Sequence, residues 1–212
     1  MTLLRQSSDT SFTGMIGGVV ICHRNGKVYL RRAPQYSKSS WTKNQKVHRT
    51  RFKEVNQFCK QFKKTLIQQI WKYADPRTSG HSLFLKANMG AFSLDGQSVD
   101  PLKVQVSTGV LELEQGMQVS RQAGQSIGFT VLWQKSNGGG IRWWDELMVV
   151  SMAGGIYSDI YPTGLLRGKL GGDFVLPALP EDTSHLYLFF ASKDRRSYSP
   201  SLCFALNADS AD

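Results

Sequence analysis

Cysteine, histidine and long apolar runs are all in short supply. The three cysteines, Cys22, Cys59 and Cys203, are odd in number and far apart, which excludes a disulfide framework and a zinc ligand set. Histidines 23, 48, 81 and 185 stand alone, with no HExxH and no His/Cys spacing suited to a metal. They read as a strand position, a basic helix surface, a helix start and a strand edge. The most apolar early stretch, Met15 to Cys22, contains Gly17 and Gly18 and is far too short to span a bilayer. The first 21 residues lack the basic start, apolar run and cleavage site of a secretory signal. A reduced, cytoplasmic setting without membrane insertion is therefore expected.

Acids are missing from the front of the chain, and that absence is the most informative. The 212 residues are 41% hydrophobic and 20% charged, ordinary for a globular protein and incompatible with wholesale disorder. The net charge of +10 is unevenly placed. Up to Phe92, 17 Lys/Arg stand against three acids (Asp9, Glu54, Asp75), a net +14; from Ser93 onward nine stand against 13, a net −4. Such asymmetry suggests two modules, the first facing something anionic: a polyanion, an acidic partner or a sister subunit.

Residues 1–12 are polar and read as a flexible tail. Met15–Arg24 and Lys27–Arg32 flank Asn25-Gly26, the preferred two-residue hairpin turn, because both central positions need positive φ. That register sets Ile21 opposite Leu30, His23 opposite Val28, Cys22 opposite Tyr29 and Val20 opposite Arg31. Both faces are apolar, so the hairpin needs cover. Next, Thr42-Lys43-Asn44-Gln45 has the form of a capping box. A helix of about thirty residues is expected to follow, bent on account of its length and ending before Asp75-Pro76. Phe52, Val55, Phe58, Cys59, Phe62, Leu66 and Ile70 fall in one arc, and Lys46, Arg49, Lys53, Lys60, Lys63 and Lys64 in another. Only Arg51 violates the partition. A shorter helix is expected from Thr78 or Ser79 to about Ala91, with Leu85, Met89 and Phe92 on one face. Asp95-Gly96 marks a turn beyond it.

From Leu102 onward the period switches to two. Strands are expected around Leu102–Val106, Leu111–Leu113, Ile127–Trp133, Leu147–Met152, Leu186–Phe190 and Leu202–Leu206, with turns at 136–140, Gly154-Gly155 and Gly171-Gly172. The fold class is therefore α+β: a hairpin and basic helical region over 13–92, then an antiparallel β-sandwich of the fibronectin III or immunoglobulin type over 101–207, and a short tail over 208–212. No repeat is visible at a period of twenty to fifty residues.

Few motifs carry chemistry. Gly164-Leu-Leu-Arg-Gly168-Lys169-Leu170 has one residue too few between its glycines for a phosphate loop, and no Ser/Thr follows its lysine. Adjacent Asp145 and Glu146 point to opposite faces on a strand and cannot converge as an acid/base pair. Trp143 and Trp144 alternate likewise, one expected in the core and the other at an edge; with Arg195 and Arg196 of the 193–196 loop they are candidate partner contacts. The basic set Lys46, Arg49, Lys53, Lys60, Lys63 and Lys64 could neutralise phosphates irrespective of sequence, or simply be a solvated helix face. No nucleic-acid signature accompanies it.

Three stretches together resemble a known family. They are Phe12-Thr-Gly-Met-Ile-Gly-Gly-Val-Val with Asn25-Gly-Lys-Val-Tyr-Leu-Arg, then Thr42-Lys-Asn-Gln45 with Arg49 and Phe52, and Leu186-Tyr-Leu-Phe-Phe with Tyr198-Ser-Pro-Ser. The pattern is similar to an uncharacterised domain family, number 6266 in the unknown-function series, widespread in Bacteroidota. The resemblance spans Phe12 to about Leu206 and implies a bacterial or phage-related protein, with no activity or catalytic residues to carry over. The expected function is non-catalytic binding or assembly, with a protein partner or by self-association and without a cofactor. The alternative is sequence-independent nucleic-acid binding through the basic helix face. An enzyme is the third reading, with no triad, metal set or cofactor loop to support it.

Overall fold

The computed structural model describes residues 2–3, 13–24, 27–35, 41–122, 127–135, 142–176 and 183–206. The chain divides into two compact units, 1–43 and 44–212. The helical region belongs with the strands that follow it and not with the hairpin. The boundary expected between residues 92 and 101 therefore falls ahead of the helix, because the helix and the later strands share a core.

The first unit is a four-stranded antiparallel sheet in the order β1-β4-β3-β2, from β1 (Thr2–Leu3), β2 (Gly14–Ile16), β3 (Val19–Arg24) and β4 (Lys27–Arg32). The β3–β4 register pairs Ile21 with Leu30, His23 with Val28, Cys22 with Tyr29 and Val20 with Arg31, as the Asn-Gly spacing predicts. The turn residues 25–26 lie outside the described residues. Met15–Arg24 is not one strand, however: Gly17-Gly18 folds it into a second hairpin, Ile16 opposite Val19, with Gly17 at φ +57°. Thr2–Leu3, within the expected tail, pairs with β4, and the rest of 1–12 lies outside the described residues.

The second unit is layered around a central sheet. β5 (Gln115–Arg121), β6 (Gly128–Gln134) and β10 (Gly171–Val175) form a three-stranded antiparallel sheet in the order β10-β6-β5. β7 (Glu146–Ala153), β8 (Ile156–Tyr157), β9 (Tyr161–Leu166), β11 (Thr183–Ala191) and β12 (Leu202–Ala205) form the other, in the order β12-β11-β7-β8 with β9 also on β7. Successive strand residues point to opposite faces, and here each face meets a different core. Leu147, Val149, Leu186, Leu188 and Phe190 pack on Met117, Phe129, Val131, Trp133 and Phe174 of the three-stranded sheet. Met148, Val150, Met152, Tyr187, Phe189 and Ala191 pack on the helices. A strand covered on both sides has no polar face, which explains the unbroken apolar runs of β7 and β11.

The helical layer comprises α1 (Lys43–Gln61), α2 (Leu66–Gln69) and α3 (Gly80–Asn88). Phe58 sits within an aromatic cluster, 4.9 Å from Phe62, 5.4 Å from Phe92 and 6.1 Å from Phe84 between ring centres. The single long helix expected to Asp75 is broken at Phe62–Thr65. There the backbone switches to i→i−3 bonds (Phe62 to Cys59, Thr65 to Phe62) and Ile67 reaches back to Phe62. The break re-phases the chain so that the doublets Leu66/Ile67 and Ile70/Trp71 are all buried, which one straight apolar stripe cannot achieve. Phe52, placed in that stripe, is instead 53% exposed. Arg51, the residue that broke the pattern, turns inward and donates to the carbonyls of Met89 and Phe92 at the end of the α3 segment, where a cation suits the dipole. Ser79 caps α3 by accepting from Ser82 N. Its buried face is Gly80, Phe84 and Asn88, one position from the expected one, with Leu85 and Met89 at the margin.

Residues 102–106 and 111–113 are not strands. Val104, Val106 and Leu111 are buried, yet at 105–106 the backbone finds side chains in place of a ladder. Gln105 exchanges bonds with the Asn88 amide, and Val106 N donates to Ser201 Oγ. Buried backbone groups need partners, and the partner type decides whether an extended segment becomes a strand. Gly171-Gly172, read as a turn, lies in β10; a Cβ at Gly171 would stand 2.6 Å from Val131 O. β5 and β9 are further strands that the periodicity missed.

One loop design occurs twice. Ser93-Leu94-Asp95-Gly96-Gln97-Ser98 and Ser192-Lys193-Asp194-Arg195-Arg196-Ser197 share the same bonds. The first serine hydroxyl donates to the aspartate and accepts from the second serine's N–H, while the aspartate accepts from the fifth residue. The fourth residue of each has positive φ, +77° at Gly96 and +56° at Arg195. Proline follows both, at Pro101 and Pro200.

Candidate binding surfaces

The six helix-region cations are all exposed, but they do not form one rigid face. Lys46, Arg49, Lys53 and Lys60 lie on α1. At 100° per residue they occupy an arc of about 60°, and at 1.5 Å per residue they span about 21 Å. Lys63 and Lys64 fall in the turn after α1, so the helix geometry does not carry them. Within this set Lys53 pairs with Glu54 at 4.0 Å, a weak surface contact.

Trp143 and Trp144 are neither core residues nor part of a strand. They form a turn just before β7, 45% and 71% exposed. The tryptophan in the core between the two sheets is Trp133, 5.4 Å from the Phe190 ring and donating Nε1–H to Arg167 O. The period-two reading failed because the turn, not the strand, contains the Trp pair. Trp143 is held in place: it lies over Gly168, where a Cβ would be 2.6 Å from Cε3, and Lys135 Nζ is 4.9 Å from its ring centre. Arg142, Trp143, Trp144 and Asp145 face Ser192, Lys193 and Asp194 across a groove of about 410 Å³. The fold thus brings the tryptophans beside the 192–194 part of the loop. Arg196 is exposed beside it, whereas Arg195 is half-buried and engaged with Glu146 and Met148 Sδ. Arg195 is better described as a support for the loop than as a contact. Ser192 Oγ and the Arg196 N–H bind the Asp194 carboxylate and hold its pKa below the usual range.

Beside the groove lies an ionic cluster that the sequence did not disclose. Arg167, Glu114 and Asp145 are each about 95% buried or more. Arg167 Nη1 is 3.2 Å from Glu114 Oε1, its Nε 3.4 Å from Asp145 Oδ2, and its guanidinium 4.2 Å from the Phe190 ring centre. Burial pushes the Asp145 pKa up, against the pull of Arg167 and Arg142. Asp145 and Glu146 do point apart, each to its own arginine. The only sequence signal was a charged residue, Arg167, in the Gly164–Leu170 stretch rejected as a phosphate loop.

His23 lies on β3, His48 on α1, His81 on α3 and His185 on β11. Desolvation lowers the His185 pKa, and its Nδ1 is 2.8 Å from Ser184 Oγ. Among the described residues no group of three His, Cys, Asp or Glu could hold a metal, and no helix is long and apolar enough to cross a membrane. Comparison with known proteins finds no matching family, no similar curated protein and no similar solved structure.

Proposed function

We propose that this is a non-catalytic binding protein whose sandwich end takes a protein partner through the Trp143/Trp144 groove. The observation that carries this reading is a pair of adjacent exposed tryptophans, one of them fixed by backbone packing, above a concave surface. Large aromatics on a rigid base lose little entropy on docking and are typical of binding hot spots. The test is a photo-crosslinking residue at position 144 in growing cells, with one at Ile156, also exposed, as control. A specific adduct at 144, abolished by Trp143→Ala, is expected; equal labelling at both positions, or none, sinks the reading.

A second reading is nucleic-acid binding by α1, favoured by the four cations within a narrow arc. Four phosphate contacts predict a loss of about 150-fold in affinity between 50 and 200 mM salt. The variant K46E/R49E/K53E/K60E is expected to abolish binding to duplex DNA or RNA. A wild type that binds neither at low salt removes this reading.

Strand order supports a fibronectin-type sandwich: the first, second and fifth long strands, β5, β6 and β10, make one sheet, and β9, β7, β11 and β12 the other. The hairpin, the helix start at Lys43 and β11 also support membership of the uncharacterised Bacteroidota family that their sequences resemble. A cytoplasmic, reduced setting fits the three free cysteines.

A further inference from the structure

The N-terminal sheet has strands that are apolar on both faces, yet none of its described side chains is fully buried. Val20, Ile21, Cys22, Val28, Tyr29 and Leu30 are all half-buried. At the Gly17-Gly18 turn the apolar surface is bare: Met15 is 66% and Ile16 60% exposed, with Val19 beside them. A Cβ on either glycine would meet nothing within 4 Å. A segment of some forty residues does not supply a core for itself, and oligomerisation is a usual remedy.

We infer that this sheet is an arm that docks on a second copy of the same chain, head to tail. Charge identifies the occupant. Residues 1–43 carry seven Lys/Arg and one acid, Asp9, and Arg31 and Arg32 stand exposed beside the apolar tip, paired with Val20 and Val19. A nucleic acid would satisfy the arginines and leave Met15, Ile16 and Val19 bare. The second unit is +4 as a whole, but its strand-rich part from Ser93 has the opposite sign to the arm, a net −4, and one face of that part offers the matching mixture. On the outer side of the three-stranded sheet, Leu132 and Val175 are exposed on either side of Asp173, whose carboxylate accepts from Thr130 Oγ1 at 2.7 Å. Aliphatic tip against aliphatic face, with Arg32, which shares the sheet face of Ile16 and Val19, against Asp173, is complementary in both respects. Such a contact uses different patches on the two copies, so it repeats into a ring or filament.

The experiment separates head-to-tail contact from every symmetrical one. The wild-type chain is expected to show a weight-average mass that rises with concentration in sedimentation velocity. The arm variant I16E/R32E and the face variant L132E/D173K alter exposed residues, and each should sediment as a folded monomer by circular dichroism. Mixed in equal amounts, they should form a heterodimer and nothing larger, since each supplies the half the other lacks. A wild type that stays monomeric up to about 100 μM, beyond the range of a standard-size interface, overturns the inference. So does a mixture of the two variants that fails to associate, or either variant assembling alone. These results leave the groove reading untouched, because neither variant alters Trp143 or Trp144.

Discussion

Replacing Arg167 by methionine tests the reading of the sandwich interior most directly. The substitution keeps much of the aliphatic volume but removes the cation paired with Glu114 and Asp145, whose side chains are only 2% and 3% exposed. Two carboxylates would then share a site closed to water. Breaking a buried pair from one side costs about 3–5 kcal/mol. In a protein of this size that lowers Tm by roughly 6–20 °C. The pH dependence carries the diagnostic sign. Asp145 already has a raised pKa from burial, and loss of Arg167, which pulls it down, raises it further. An acid whose folded pKa lies above its unfolded value of about 4 binds protons more tightly when native, so stability falls as pH rises through the folded value. The deficit should therefore be smaller at pH 5 than at pH 8. Urea melts of wild type and R167M at both pH values measure it, and R167M/E114Q/D145N should recover most of the loss. A deficit below about 0.5 kcal/mol, within ordinary surface-mutation scatter, or one independent of pH would refute the buried-charge account.

Other expectations follow from single environments. Phe58→Ala, at the centre of the helix-layer cluster, should cost about 3–5 kcal/mol by equilibrium unfolding; a cost under 1 kcal/mol would mean that the helices do not close over the central sheet. Gly96→Ala meets a φ of +77° and a Cβ position 2.9 Å from Arg51 Cα, and thermal melts should show about 1–3 kcal/mol of strain. Hydrogen bonds hold the pKa of Asp95 and Asp194 low. Their contribution is thus present above pH ~4 and lost as pH falls through the lowered folded values; D95N and D194N should flatten the acid limb of the stability curve. Burial raises the Cys59 thiol to about 11, so at pH 8 it should resist a thiol reagent until urea unfolds the chain; rapid labelling of Cys59 in the native state would contradict its burial.

Local rules alone determined several features of this protein. The Asn-Gly spacing set the β3–β4 register, because a two-residue turn leaves no freedom in pairing. Ser79 and the 3.6-residue period placed α3, and the 2-residue period placed β6. Only the tertiary structure decided the rest. β7 and β11 show no alternation because helices cover one face and a sheet the other; an unbroken apolar run states that both sides are dry, not what dries them. Arg51 looked misplaced until the carbonyls of Met89 and Phe92 came beside it from some forty residues away. Residues 104–106 alternate like a strand, but Gln105 and Val106 give backbone bonds to Asn88 and Ser201, partners that no local pattern can name. The groove has the same origin: Trp143 and Trp144 were visible as residues, but their exposure arises from a turn whose position depends on Gly168 and the distant 192–197 loop. Hydrogen bonds along the chain are written in nearest neighbours, whereas burial is a property of whatever folds back, and the sites here are made by burial and its absence.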